Sequence, residues 1–147
     1  MAHATPRPRP LSTMSASESV LRDAGLRPTL LRLQVLGALQ RCAHAHPTAE
    51  ALYVALRDAG NQVGIGTVYR VLGDMENAGI VRRSQLGHGK SFYELSDGSR
   101  HVHVVSMQDG KIFKFEDEAL LERLDRFVAE KGYRIVDLQL TVYVQPA

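Results

Sequence analysis

"IGTVYRVLGDMENAGIVRRSQLGHGKSFYEL", residues 65–95, decides the fold. Its first half sets Val68, Val71, Leu72 and Met75 at i, i+3, i+4 and i+7, the spacing of one helical face, and Gly79 ends the run. Its second half changes period. Two strand-like runs, Val81–Gln85 and Ser91–Leu95, flank a Gly-His-Gly turn and predict a hairpin beside that helix. Upstream, "TAEALYVALRDAG" (48–60) repeats the helical spacing with Ala49, Leu52, Tyr53 and Leu56, opened by Thr48 as N-cap and closed by Gly60. Further back, "ESVLRDAGLRPTLLRLQVLGALQRC" (18–42) breaks at Gly25 and resumes after Pro28, which predicts helices near 17–24 and 29–42. Compact helices followed by a hairpin read as a helix-turn-helix with a β wing.

Downstream of residue 95 the pattern is different. It predicts a strand at 101–106, an Asp109-Gly110 turn, a strand at 111–115, a helix through Leu120, Leu124, Phe127 and Val128, and a last strand. In that last strand Val136, Leu138, Leu140, Val142 and Val144 alternate with Asp137, Gln139 and Thr141, so one face is core and the other meets solvent or a partner. The fold class is therefore α+β: an N-terminal winged helix-turn-helix domain followed by a small α/β domain.

Composition narrows the function. The 147 residues carry 18 Lys plus Arg against 16 Asp plus Glu, and a net charge of +2 means that nucleic-acid affinity must come from local clustering. Arg22, Arg27, Arg32, Arg41, Arg70, Arg82, Arg83 and Lys90 supply that clustering in the first half, whereas residues 116–130 are richer in acid. A single cysteine, Cys42, excludes a disulfide framework or a thiolate zinc site within one chain, and suits a reducing cytoplasm. No apolar run approaches the roughly 18 residues of a membrane span, so no membrane partner is expected. The stretch "MAHATPRPRPLSTMSAS" reads as a loose basic tail over residues 1–16 rather than a signal peptide.

Two features carry chemistry. In "SRHVHVVSMQDGK" (99–111), strand alternation puts His101 and His103 on one face; two adjacent imidazoles are either half of a metal site or a solvent-facing pair with no role. On the helix read from "GTVYRVLGDMENAG" the face opposite the apolar stripe presents Tyr69, Arg70, Gly73 and Asn77. Such a face suits a major groove. An Arg can donate a bidentate pair to guanine and a Tyr ring can pack on thymine methyls, each good contact discriminating by about 1–3 kcal/mol. Arg82, Arg83 and Lys90 flank it as candidate phosphate contacts.

The segments "LRDAGLRPTLLRLQVL", "HPTAEALYVAL", "IGTVYRVLGDMENAGIV", "GKSFYEL", "HVHVV" and "DGKIFKFEDEALL" occur in the order found in the ferric uptake regulator family, and the resemblance covers roughly residues 18–144. The resemblance implies a metal-responsive DNA-binding repressor of metal homeostasis, not an enzyme, acting as a cytoplasmic homodimer on an A/T-rich palindromic operator. It implies a winged-helix domain over 17–95, a hinge at 96–98 where "LSDG" supplies turn residues, and an α/β dimerisation domain over 99–147. It places the metal-sensing ligands on His46, Glu94, His101 and His103, the base-reading pair on Tyr69 and Arg70, a minor-groove contact on Arg27, and phosphate contacts on Thr67, Arg32 and Lys90.

The departures are equally specific. Ser106 and Asp109 stand where a structural zinc held by four cysteines would need its first pair, and "VYVQPA" ends the chain without any cysteine, so no such zinc is expected. A second regulatory site would need ligands where this chain has Arg100, Val102, Leu121 and Leu138, and a glutamate sometimes added to the sensing site corresponds to Lys114. One divalent ion per subunit remains, with Fe2+ expected and Mn2+ or Zn2+ compatible with three imidazoles and a carboxylate. Two other readings stay open here: a metal-independent winged-helix regulator, and a zinc hydrolase, which lacks a second polar cluster for a general base.

Overall fold

The computed structural model describes residues 15–42, 45–86 and 89–147. The order of elements is α1 (Ala16–Asp23), α2 (Leu30–Arg41), α3 (Ala49–Asp58), α4 (Ile65–Asn77), β1 (Val81–Leu86), β2 (Lys90–Leu95), β3 (Val102–Ser106), β4 (Ile112–Phe115), α5 (Glu118–Glu130) and β5 (Leu140–Val144). The loose tail read over 1–16 lies outside the described residues as far as residue 14. Its last two residues belong instead to the start of α1, because Ser15 caps the helix in a capping box: its hydroxyl accepts from the Glu18 amide, and the Glu18 carboxylate accepts from the Ser15 amide. The middle of the Gly-His-Gly turn, residues 87–88, also lies outside the described residues.

Helices α1 to α4 bury one continuous core. Leu21, Leu36, Leu39, Leu52, Leu56, Val68, Leu72 and Met75 are all essentially inaccessible, and Ile80, Val81 and Tyr93 carry the core onto the hairpin. Thr29, Thr48 and Asp117 each accept from a backbone amide three residues on, so α2, α3 and α5 begin where their cap chemistry dictates. The hairpin β1–β2 is antiparallel, with Val81 opposite Leu95 and Ser84 opposite Phe92.

The remaining three strands form a separate sheet of order β4–β3–β5, with β3 antiparallel to β4 and parallel to β5. This half is not closed on itself. No residue of α5 is buried, and Phe113, Phe115, Phe127, Val142 and Tyr143 are all about half exposed. The expected last strand is half right: β5 begins only at Leu140, and Val136 is 88% exposed rather than core. Residues 136–139 find no ladder partner, because β3 pairs with β5 only from Val102 opposite Leu140 onward. They are held by the wing instead. Arg82 on β1 pairs with the Asp137 carboxylate and donates to the Leu138 carbonyl at 3.2 Å.

Arg82 is therefore turned toward the sheet, and the phosphate-contact role read for it gives way to a bridge between the two halves. The pair is partly exposed, so its contribution is at most about 1 kcal/mol. Asp137→Arg, which sets two cations face to face, should speed amide hydrogen exchange over residues 136–139 by about three- to fivefold. Adding Arg82→Asp should restore the original rate.

Candidate metal centre and nucleic-acid face

Three segments bring their side chains to one point between the hairpin and the sheet. His46 precedes α3, Glu94 is the penultimate residue of β2, and His101 and His103 lie just before and within β3. One ligand atom from each of the four lies within 4.8 Å of every other. The Glu94 carboxylate oxygen is 3.3 Å from His101 Nε2 and 3.5 Å from His103 Nε2, and the two Nε2 atoms are 3.1 Å apart. All three imidazoles are buried.

Local chemistry explains how His46 reaches the cluster. It is the one described non-glycine residue with positive φ, at 44°, a conformation that residues other than glycine adopt rarely. Pro47 follows, and its carbonyl accepts from the Tyr93 amide at 2.9 Å, which sets the loop one residue from Glu94 in the hairpin. The result is a buried His46 Nε2 with no hydrogen-bond partner among the described residues. An orphaned buried nitrogen costs about 1–3 kcal/mol. Strained backbone and an unpaired nitrogen aimed at two imidazoles and a carboxylate fit a divalent cation, which would take a lone pair from each.

The electrostatics agree with neutral nitrogen ligands. Burial, helped by His103, holds His46 below the ordinary imidazole range; burial and then Lys114 do the same for His101. Burial pushes the Glu94 carboxyl up, but the hydrogen bond and charge from His103, with the other two histidines, outweigh it and keep the group below its usual range. The centre thus holds one anion, and His46 and His101 resist protonation.

The candidate nucleic-acid face lies on α4. Tyr69 is 45% exposed and Arg70 is exposed, on the side away from the buried Val68, Val71, Leu72 and Met75. Tyr69 is not free to turn: its hydroxyl donates to Glu50 on α3, and that bond holds the Glu50 carboxyl below its usual range. Arg27 and Lys90 are exposed, and among the described residues neither they nor Arg70 form an ion pair. Thr67 is half-buried in the first turn of α4. Arg32 is committed inside the protein, 2.9 Å from Asp74 on α4 and donating to the Arg27 carbonyl at 2.9 Å. It braces the loop that carries Arg27. Arg83 lies 3.9 Å from Glu76 and stays exposed.

Sequence reasoning missed Glu50, Asp125 and Asp137. Asp125 on α5 receives both terminal nitrogens of Arg100, at 2.7 and 3.0 Å. Their partners are 19, 25 and 55 residues away, beyond any local periodicity.

A winged helix joined to a small sheet across a pocket of three histidines and a glutamate defines a class: metal-responsive DNA-binding regulators. The family model described as "Ferric uptake regulator family" matches residues 23–143. The ferric uptake regulation protein of Pseudomonas aeruginosa is 40% identical over 127 residues, covering 86% of this chain and 95% of that protein. The structure of the Pseudomonas aeruginosa ferric uptake regulator with manganese superposes with a TM-score of 0.84 at 39% identity, covering 89% of this chain and 98% of the other. That of the Francisella tularensis regulator with iron gives 0.70 at 29% identity, covering 83% and 92%. The chain belongs to the ferric uptake regulator family, whose members are metal-responsive transcription regulators rather than enzymes.

Groups that only hydrogen-bond to a metal's ligands commonly change its affinity by about 10–100-fold, and a ligand counts for more. His103→Ala should therefore weaken Co2+ binding by at least about 100-fold, read by competition with a chelating dye.

Proposed function

We propose that the chain is an iron-sensing transcriptional repressor of metal homeostasis, acting in the cytoplasm as a homodimer with one divalent ion per subunit held by His46, Glu94, His101 and His103. The observation that carries this is the split origin of the four groups: His46 and Glu94 come from the winged-helix half, and His101 and His103 from the sheet half, across a hinge at 96–98. A cation bound by all four is bound tightly only when the two halves are closed, so binding shifts the population to that posture. The domain limits that go with it are 17–95 for the winged helix and 99–147 for the dimerising part.

Three imidazoles and a carboxylate without a thiolate suit Fe2+, Mn2+ or Zn2+. The manganese and iron in the two solved relatives support the harder ions of that set. Fe2+ is the cellular ion in this reading. Since Zn2+ binds such donors more tightly than Fe2+ in the general stability order, selectivity comes from availability and not from affinity.

The exposed apolar surface of β4, α5 and β5 supports a second copy of the chain as its cover, since a patch of Phe113, Phe115, Phe127 and Tyr143 left in water favours association. A two-fold dimer then presents two α4 helices to successive major grooves, about 34–36 Å apart, of an A/T-rich palindromic operator. Arg70 reads a guanine edge, Tyr69 packs on a thymine methyl, Arg27 enters the narrow minor groove, and Thr67 and Lys90 hold phosphates.

The test is operator binding titrated with Fe2+, Mn2+ and Zn2+ separately, without oxygen. Operator binding that ignores all three ions would sink the proposal in favour of a metal-independent regulator. Arg70→Ala should cost about 1–3 kcal/mol on the operator and little on random DNA. Lys90→Ala should weaken both alike and lower the salt slope by about one. Chelator-treated protein should still sediment as a dimer, since the apolar cover is independent of the ion.

A further inference from the structure

The antiparallel register of β3 and β4 sets Lys114 directly opposite His103. Residues opposite one another in such a pair project to the same face, with Cβ atoms about 4.5–5.5 Å apart. The face that His103 shares with His101 is the one turned toward His46 and Glu94. Lys114 therefore stands on the metal-cluster face of the sheet. It is half-buried, and among the described residues it makes no ion pair and no hydrogen bond. Its charge is felt at the cluster, where it opposes protonation of His101 and, more weakly, of His46.

A charge that repels a proton from an imidazole repels a divalent ion at the same nitrogen about twice as strongly. We propose that Lys114 sets the ion concentration at which the cluster fills: its ammonium, beside His103, holds the site's affinity for divalent cations down. The inference rests on the reading of His46, Glu94, His101 and His103 as the ligand set, and it adds a residue that is not a ligand. Glu94 is the one carboxylate among the four ligands, and the Lys114 cation opposes the charge that an arriving divalent ion brings to them. A regulator built this way stays in its unloaded form until free metal is comparatively abundant.

The probe is Co2+ or Mn2+ alone, its affinity for the full chain measured by competition with a chelating dye. Lys114→Met keeps most of the aliphatic stem and removes the charge. For an ammonium about 8 Å from a divalent ion under water-like screening, this should tighten binding about fivefold. Lys114→Arg, which retains the charge, should bind as the parent does. The gain in Lys114→Met should shrink as KCl is raised, because added salt screens the charge. A purely structural role for the lysine would give no such salt dependence. Unchanged or weaker binding by Lys114→Met, with binding lost in His103→Ala, would overturn the proposal and leave the ligand set standing. Parent-like binding by His103→Ala would overturn the ligand set itself, and the role of Lys114 with it.

Discussion

The buried, unpaired Nε2 of His46 is the constraint on which the rest of the arrangement depends. An imidazole in that position is costly to the winged-helix half, which offers it only Glu94 beside it. The second half brings His101 and His103 to the same point and so completes the donor set, while leaving the nitrogen without a hydrogen-bond partner. A protein stabilised only by its own contacts would replace such a group with an apolar one. Retaining it makes sense when a cation contributes the missing interaction, because the free energy of that contact is then available to hold the two halves together.

The contacts between the halves divide into two kinds. One is the His/Glu cluster, a candidate metal site. The other needs no ion: Arg82 reaches from the wing to Asp137 and the Leu138 carbonyl, next to a segment that has no strand partner among the described residues. Within the sheet half, Arg100 grips Asp125 with both terminal nitrogens, a bidentate pairing that holds the guanidinium protonated and the carboxyl ionised. Arg100 is one of the positions to which the family resemblance assigns a second regulatory site. The Arg100–Asp125 pair ties the loop before β3 to α5.

The helices were legible in the sequence because their signals are local. Val68, Val71, Leu72 and Met75 lie within two turns of one another, and each of the four is buried. Cap residues such as Thr48 are equally local. The last strand misled because alternation records what a segment can do once it has a neighbour, and 136–139 has none within one chain. The His-x-His pair was legible as a motif, yet its junction with His46 and Glu94 came only from resemblance, since 55 residues separate His46 from His101 and the left-handed turn at His46 carries no compositional mark. Charge pairs were the least legible of all. Arg32 with Asp74 and Arg82 with Asp137 join residues 42 and 55 positions apart, and nothing in an arginine's own sequence context announces which carboxylate it will meet.

A short run of chain joins the cluster to the exposed face of α4. His46 is followed by Pro47, whose carbonyl is fixed by the Tyr93 amide, and then by Thr48, which caps α3. Two residues further on, Glu50 accepts from the Tyr69 hydroxyl on α4. No residue between His46 and Glu50 is free of a backbone or cap constraint: Pro47 has its φ locked by its ring, Thr48 is the cap, and Ala49 is buried in the first turn. The start of α3 thus lies between the His46 imidazole and, through Glu50, the Tyr69 ring on the exposed face of α4. In an ion-free molecule the strained His46 turn is the weakest member of this series, since a positive φ persists only when its surroundings over-determine it. The same few residues that make the cluster costly when empty are those that lie between it and Tyr69.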